Sequence, residues 1–392
     1  MKKFLFFLCA GAIITSCTSE QTLTITIENP SDFNRSAEIV EIPLSDLNTA
    51  VELKENQSYI IKNEAGEIIP TQITYDNKLI FQAGTNTNAT VNYTLSAGDP
   101  QIFTSKSFGR FVPERKDDFA WENDRVAFRV YGNALIESDG PSNGIDLWFK
   151  RTNNLVIDKW YKDDIAGVRS YHQDDGEGLD DYKVGRTLGA GMMAPFVNEK
   201  LWLNENFMQH EVYEQGPLRT TFKLTYKDIE VDGKTFSESR IFSLDAGSQL
   251  TKVTQVYGTN EPIAVAAGIV KREESNYIAQ ETTEKGTTTI VYAEPTSPLA
   301  GNIYVGMVVP SEVEDVITDT YTITHAKTEK KETHSHILAV TTYQPNHPVN
   351  YYIGYGWEKF GFPKVEDFQT YIINFATSLE QPLIVKINKN EK

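Results

Sequence analysis

The side chains best equipped for chemistry crowd between Asp158 and Arg186. Lys159-Trp160-Tyr161-Lys162 comes first, then Tyr171-His172-Gln173-Asp174-Asp175-Gly176-Glu177-Gly178, then Asp181-Tyr182-Lys183-Val184-Gly185-Arg186. Imidazole and phenol groups move protons, Lys and Arg neutralise carboxylates, and flat rings stack on the C–H faces of sugars. This mixture suits a saccharide, although a solvated surface loop has a similar composition. A second group runs from Arg110 to Asn123 and holds Arg115 and Trp121; a third runs from His210 to Arg219. On a strand, His210, Val212 and Glu214 share one face, where a histidine is more often a core or surface residue than a catalyst. The fourth group, Tyr351 to Lys359, contains Trp357 between glycines that permit close approach. Aromatic packing explains it equally well.

Metal chemistry has thinner support. Asp174, Asp175, Glu177, Asp180 and Asp181 could hold calcium, but their spacing is not that of an EF-hand loop. His334-Ser335-His336 puts two rings on one strand face without an evident third ligand. There is no Gly-rich phosphate loop and no Gly-x-Ser-x-Gly elbow. The expectation is therefore no cofactor, with bound calcium the one weak candidate.

Composition narrows the classes further. The 392 residues carry 37 Lys+Arg against 54 Asp+Glu, a net charge of -17, so nonspecific attraction to nucleic acid or an anionic membrane surface is not expected. The two cysteines, Cys9 and Cys17, both lie near the N-terminus, which leaves the body without a disulfide scaffold, a Cys-based zinc site or a cysteine nucleophile. Lys2-Lys3, the apolar run Phe4–Ile14 and Thr15-Ser16-Cys17 describe a secretory signal ending in a sequence that resembles a bacterial lipobox. On this reading residues 1–16 are removed and Cys17 becomes the lipidated first residue. Membrane contact would then run through that anchor alone, at the periplasmic face or the outer-membrane surface of the cell envelope.

The elements that must position these groups read as strands. From Leu23 to Ser96, short alternating runs are separated by breakers such as Asn29-Pro30, Ala65-Gly66 and Gly84, as in a small antiparallel sandwich. Gly98-Asp99-Pro100 marks a boundary. Beyond it, Arg219 to Leu244 reads as a hairpin around Asp232-Gly233, Ile303 to Val309 is a further strand, and Pro382 to Ile387 closes the chain. One helix stands out: Pro363 opens it, and Val365, Phe368, Ile372 and Phe375 recur at helical spacing. No fixed period repeats, which argues against a propeller or solenoid. The expected fold is all-β: residues 17–100 form a small β domain, and residues 101–392 a large super-sandwich with one C-terminal helix that carries the active site.

Several separated phrases then point one way. Phe111-Val112-Pro113-Glu114-Arg115-Lys116-Asp117-Asp118-Phe119-Ala120-Trp121-Glu122-Asn123, Tyr171-His172-Gln173-Asp174-Asp175-Gly176-Glu177-Gly178-Leu179-Asp180, Glu214-Gln215-Gly216-Pro217-Leu218-Arg219, Ser243-Leu244-Asp245-Ala246-Gly247-Ser248 and Gly354-Tyr355-Gly356-Trp357 occur in order along the chain. Together they resemble domain-of-unknown-function family 4861, found in secreted proteins and lipoproteins of polysaccharide-degrading bacteria. The resemblance implies a galactose-mutarotase-like super-sandwich behind a small N-terminal β domain. It also implies dehydration of acidic oligosaccharides ending in a uronic acid, such as those from ulvan.

That reaction sets chemical demands. Removing water across C4–C5 of a uronic acid needs a base for the C5 proton, an acid for the departing hydroxyl, and a cation where charge builds on the carboxylate. The candidates are His172 and His210 for proton transfer, with Tyr182 a third participant. Arg115 would meet the sugar carboxylate, aided by Lys162 or Lys183, while Trp121 or Trp357 would form a stacking wall. Competing readings are a polysaccharide lyase or sugar epimerase on the same sandwich, and a noncatalytic glycan-binding lipoprotein.

Overall fold

The computed structural model describes residues 22–324 and 328–389, so the signal-like segment and Cys17 lie outside the described residues. Nearly all regular structure is antiparallel β. In the N-terminal unit, strand Thr22–Glu28 turns Leu23, Ile25 and Ile27 inward against Val40, Ile42, Phe81 and Leu95. Strict alternation of this kind is what a strand with one buried face requires. Two sheets enclose that core, and the larger is completed by the C-terminal strand Ile384–Lys389, which pairs along Thr22–Glu28. This amends the expected division of the chain, because the last strand leaves the large unit and closes the small one.

The large unit is a two-layer sandwich. One layer is an eight-stranded sheet running from Gln209–Gln215 at one edge to Ile278–Thr282 at the other. Facing it are two five-stranded sheets. The first, here the site sheet, has the order Gly178–Asp180, Asp146–Lys150, Ala127–Val130, Asp118–Asn123, Ser107–Val112. The second contains Ala190–Val197, Ile263–Lys271 and Lys331–Tyr343 among its strands. Between the layers Phe119 stacks on Phe222 at 3.9 Å and Trp121 lies 5.0 Å from Phe242.

Two local expectations change. Arg219–Thr225 does pair with Glu238–Asp245, but Asp232-Gly233 turns a separate small ribbon, Ile229–Val231 with Lys234–Phe236, between them. Both turn residues have positive φ, as a two-residue hairpin turn needs. The helix Val365–Glu380 is present, with Lys364 and Asp367 forming its capping box and Phe368, Ile372 and Ala376 buried. Another helix, Ile157–Ile165, occupies the start of the stretch whose composition also fits a solvated surface loop.

Candidate functional site

Strand alternation divides the site sheet into two faces. Phe119 and Trp121 point into the sandwich, while Asp118, Ala120 and Glu122 point outward, beneath helix Ile157–Ile165. Glu122, fully buried, accepts the backbone N–H groups of Val156 and Ile157 and pairs with Lys150 at 2.6 Å. A carboxylate at a helix N-terminus satisfies donors that have no partner within the helix. It fixes the helix over the sheet, and Trp160, Tyr161 and Tyr171 then pack around Trp148.

At the end of this outer face lies a buried charge cluster centred on Arg129. Its guanidinium meets Asp146 at 2.5 Å and Asp180 at 2.7 Å, with Asp118 at 3.8 Å. Tyr131 donates to Asp146 at 3.0 Å, and Tyr161 donates to Asp118 at 3.2 Å. Burial pushes the Asp118 carboxyl up to about 6, against the pull of Arg129 and Arg115. Burial, reinforced by repulsion from Asp180, also raises the Asp146 carboxyl despite its contact with Arg129.

Arg115 and His172 sit at the rim of this cluster. The Tyr171 hydroxyl accepts from Arg115 Nε at 3.3 Å and from Arg129 Nη1 at 3.5 Å. Among the described residues Arg115 has no carboxylate in ion-pair range, and its Nη1 is buried without a hydrogen-bond partner. His172 packs beside Tyr171 with its side chain 59% exposed, and its Nδ1 lies 3.0 Å from the Asp180 carbonyl. A carbonyl only accepts, so Nδ1 carries the proton in the neutral ring and Nε2 is left with a lone pair. The loop bearing Arg115 continues through Lys116 and Asp117, both at positive φ. It leans on Gly132, where an added Cβ would stand 1.8 Å from the Asp117 carbonyl oxygen.

The other residues singled out in the sequence do not join this group. His210 stacks on Phe111 at 4.3 Å and lines a separate cleft of about 390 Å³ with Asp117, Asn133 and Met208. Phe111 and Phe119, which it touches, face the sandwich interior, opposite Asp118, so His210 and His172 are not a facing pair. Trp121 is 0% exposed and donates to Thr251; Trp357 is 1% exposed and donates to the Ala300 carbonyl. Neither can offer a ring face to a sugar. Tyr182 is buried in the core with its hydroxyl unpartnered, beneath Arg272, so it is not a proton donor to anything in solution. Lys162 is exposed on its helix, and the Lys183 carbonyl accepts from Arg272. The acids considered for calcium are engaged: Asp174 with Arg151, Asp175 with Arg169, Glu177 with Lys159, Asp180 with Arg129 and Asp181 with Ser297. Among the described residues no three His, Cys, Asp or Glu side chains are grouped to hold a metal ion.

Sequence reasoning missed Arg129, Asp146 and Tyr131. The available signal was an arginine within Ala127-Phe128-Arg129-Val130 and an aspartate within Ile145-Asp146-Leu147-Trp148, charges set in otherwise apolar strands.

Fold and site together define an all-β two-layer sandwich carrying an acid–arginine–tyrosine cluster on one outer face. The chain belongs to the family described as "Domain of unknown function (DUF4861)", whose profile matches residues 27–385. It is similar to "Uncharacterized protein P7" of Formosa agariphila, 30% identical over 404 residues and covering 98% of each chain. Among solved structures it aligns with an alpha-mannosidase from Enterococcus faecalis V583 at 9% identity and TM-score 0.46, covering 95% of this chain and 46% of that one. A glycosyl hydrolase family 38 protein from Enterococcus faecalis aligns at 8% identity and TM-score 0.45, covering 95% and 48%. The chain thus spans about half the length of these two structures.

Proposed function

We propose that this protein is a carbohydrate-active carbon–oxygen lyase, an oligosaccharide dehydratase that eliminates water from a terminal uronic acid of an acidic oligosaccharide. The observation that carries the reading is Arg115: a guanidinium with an unpartnered Nη1 and, among the described residues, no carboxylate within ion-pair distance, Asp118 acting on it only from farther away, set between Tyr171 and the His172 rim. Such a cation is completed by an anion from outside, and a planar fork suits a carboxylate. Arg129 cannot take this part, because Asp146 and Asp180 already neutralise it.

In the proposed reaction the substrate carboxylate pairs with Arg115, and His172 Nε2 removes the C5 proton. The electrons of that bond form the C4–C5 double bond as the C4–O bond breaks. The departing oxygen takes that C5 proton from His172 and leaves as water, which returns the ring to its neutral form. The protein's net charge does not oppose an anionic substrate, since exposed charges beyond ~8 Å are largely screened at physiological salt. The same reading makes it a lipoprotein held at the cell envelope through Cys17, consistent with a substrate met outside the cytoplasm.

The test is mass spectrometry on a panel of oligosaccharides ending in a uronic acid. A dehydratase yields the same chain less one water and new absorbance at the ultraviolet edge. A polysaccharide lyase shortens the chain, an epimerase leaves its mass unchanged, and a binding protein gives no product; each of these outcomes would overturn the reading. Replacing His172 by Asn should lower turnover by roughly 10² to 10⁴-fold, with folding intact because the ring is exposed and makes one hydrogen bond.

A further inference from the structure

A further cavity lies away from this cluster, where three parts of the chain meet. It encloses about 530 Å³ between the N-terminal unit, the outer face of the eight-stranded sheet and the helix Val365–Glu380. Most charges on its wall are matched. Arg219 is held by Glu41 at 2.6 Å and Asp245 at 2.5 Å, and Lys78 by Glu41 at 2.8 Å and Asp76 at 2.9 Å. Lys252 and Glu214 make no ion pair; Glu214 accepts from Thr221, Gln72 and the Tyr75 N–H, whereas Lys252 has no such partners. Lys252 directly opposes Tyr352 across strands Leu250–Tyr257 and Val349–Trp357, and both side chains line the cavity. Among the described residues neither the Lys252 ammonium nor the Tyr352 hydroxyl has a hydrogen-bond or ion-pair partner, although both residues are half-buried.

We infer that this interdomain cavity is a second binding site, which takes an acidic sugar of one or two rings with its anionic group on Lys252 and Tyr352. Glu41, Asp76 and Asp245 are in contact with Arg219 and Lys78, and Glu214 is held by neutral donors, so among the described residues the Lys252 ammonium has no carboxylate in contact and can take one from a ligand. Burial holds the Lys252 amine below its ordinary range against the pull of Glu41, with Arg219 and Lys78 adding to the effect of burial, a cost that a bound anion would relieve. The size falls within the range of small-ligand pockets. Aromatic faces of Tyr75, Tyr352 and Phe375, with the hydroxyls of Ser243 and Thr254, give the mixed apolar and hydrogen-bonding wall that sugars use. The cavity spans both units and the helix, so an occupant stabilises their docking. The inference stands independently of the reading of Arg115 and His172.

Calorimetric titration of the full chain with D-glucuronate, D-glucose and acetate tests it, alongside melting temperature. The expected result is a glucuronate site, separate from any at Arg115, that persists in Arg115→Gln, is weakened at least tenfold in Lys252→Met and at least threefold in Tyr352→Phe, and raises the melting temperature of the protein. Glucose and acetate should each bind at least tenfold more weakly than glucuronate. Circular dichroism checks that each variant is folded, and the milder Tyr352→Phe carries the test if Lys252→Met is not. Absence of glucuronate binding, binding lost in Arg115→Gln, binding unchanged in the cavity variants, or acetate binding as well as glucuronate would each overturn the inference.

Discussion

Asp118 offers the sharpest test of the buried cluster, through the dependence of stability on pH. Its carboxyl rises from 3.8 to about 6 on folding because burial outweighs the attraction of Arg129 and Arg115. Between those two values the folded protein binds more protons at this site than the unfolded chain does. The stabilising contribution is therefore fully present below pH ~4 and is lost as pH rises through about 6. A shift of this size corresponds to about 3 kcal/mol in total, of which about 2 kcal/mol falls between pH 4 and pH 8. Asp118→Asn keeps an oxygen to accept from Tyr161 but cannot ionise. Relative to wild type, the variant should therefore gain about 2 kcal/mol of stability on going from pH 4 to pH 8. Urea denaturation followed by tryptophan fluorescence, on both proteins at each pH, measures that difference. A stability difference that stays constant across the range would show that Asp118 does not titrate there, and the electrostatic account of the cluster would fail.

Two further outcomes follow from the same geometry. Arg129→Met leaves Asp146, Asp180 and Asp118 without their shared cation; chemical denaturation should register a loss of about 3 to 5 kcal/mol, and a near-neutral result would mean the carboxylates are protonated already. His210→Ala removes a ring stacked on Phe111 at the far face of the sheet, so product formation should stay within threefold of wild type in the assay where His172→Asn is expected to lower it by roughly 10² to 10⁴-fold.

What could be read in advance depended on how local each cause was. The helix Val365–Glu380 and the alternating strands of the N-terminal unit declare themselves through neighbours in sequence. The partner of Ile384–Lys389 is Thr22–Glu28, and no local pattern names a partner more than 350 residues away. Trp121 was misjudged although the signal was present: in Asp118-Phe119-Ala120-Trp121-Glu122 the polar positions share one face, so the tryptophan had to point inward. Trp357 had no such signal, because its strand is mostly buried on both faces and alternation disappears. His172 and Arg115 were legible as reactive types, whereas Arg129, which links them, was hidden as one charge in an apolar strand.

That hidden arginine explains why costly buried charges lie beneath an exposed histidine. Asp180 uses its carboxylate on Arg129, its N–H on the Tyr171 carbonyl at 2.8 Å, and its own carbonyl on His172 Nδ1 at 3.0 Å. Arg129 also donates to the Tyr171 hydroxyl, which accepts from Arg115 as well. The orientation of the His172 ring, the placement of the Tyr171 phenol and the direction of the Arg115 guanidinium thus pass through two residues that solvent barely reaches. An apolar filling of the same volume would pack at least as well, but it would leave the His172 tautomer and the direction of Arg115 unset. The cluster is best understood as the part of the fold that turns an exposed imidazole and a lone cation into an oriented pair.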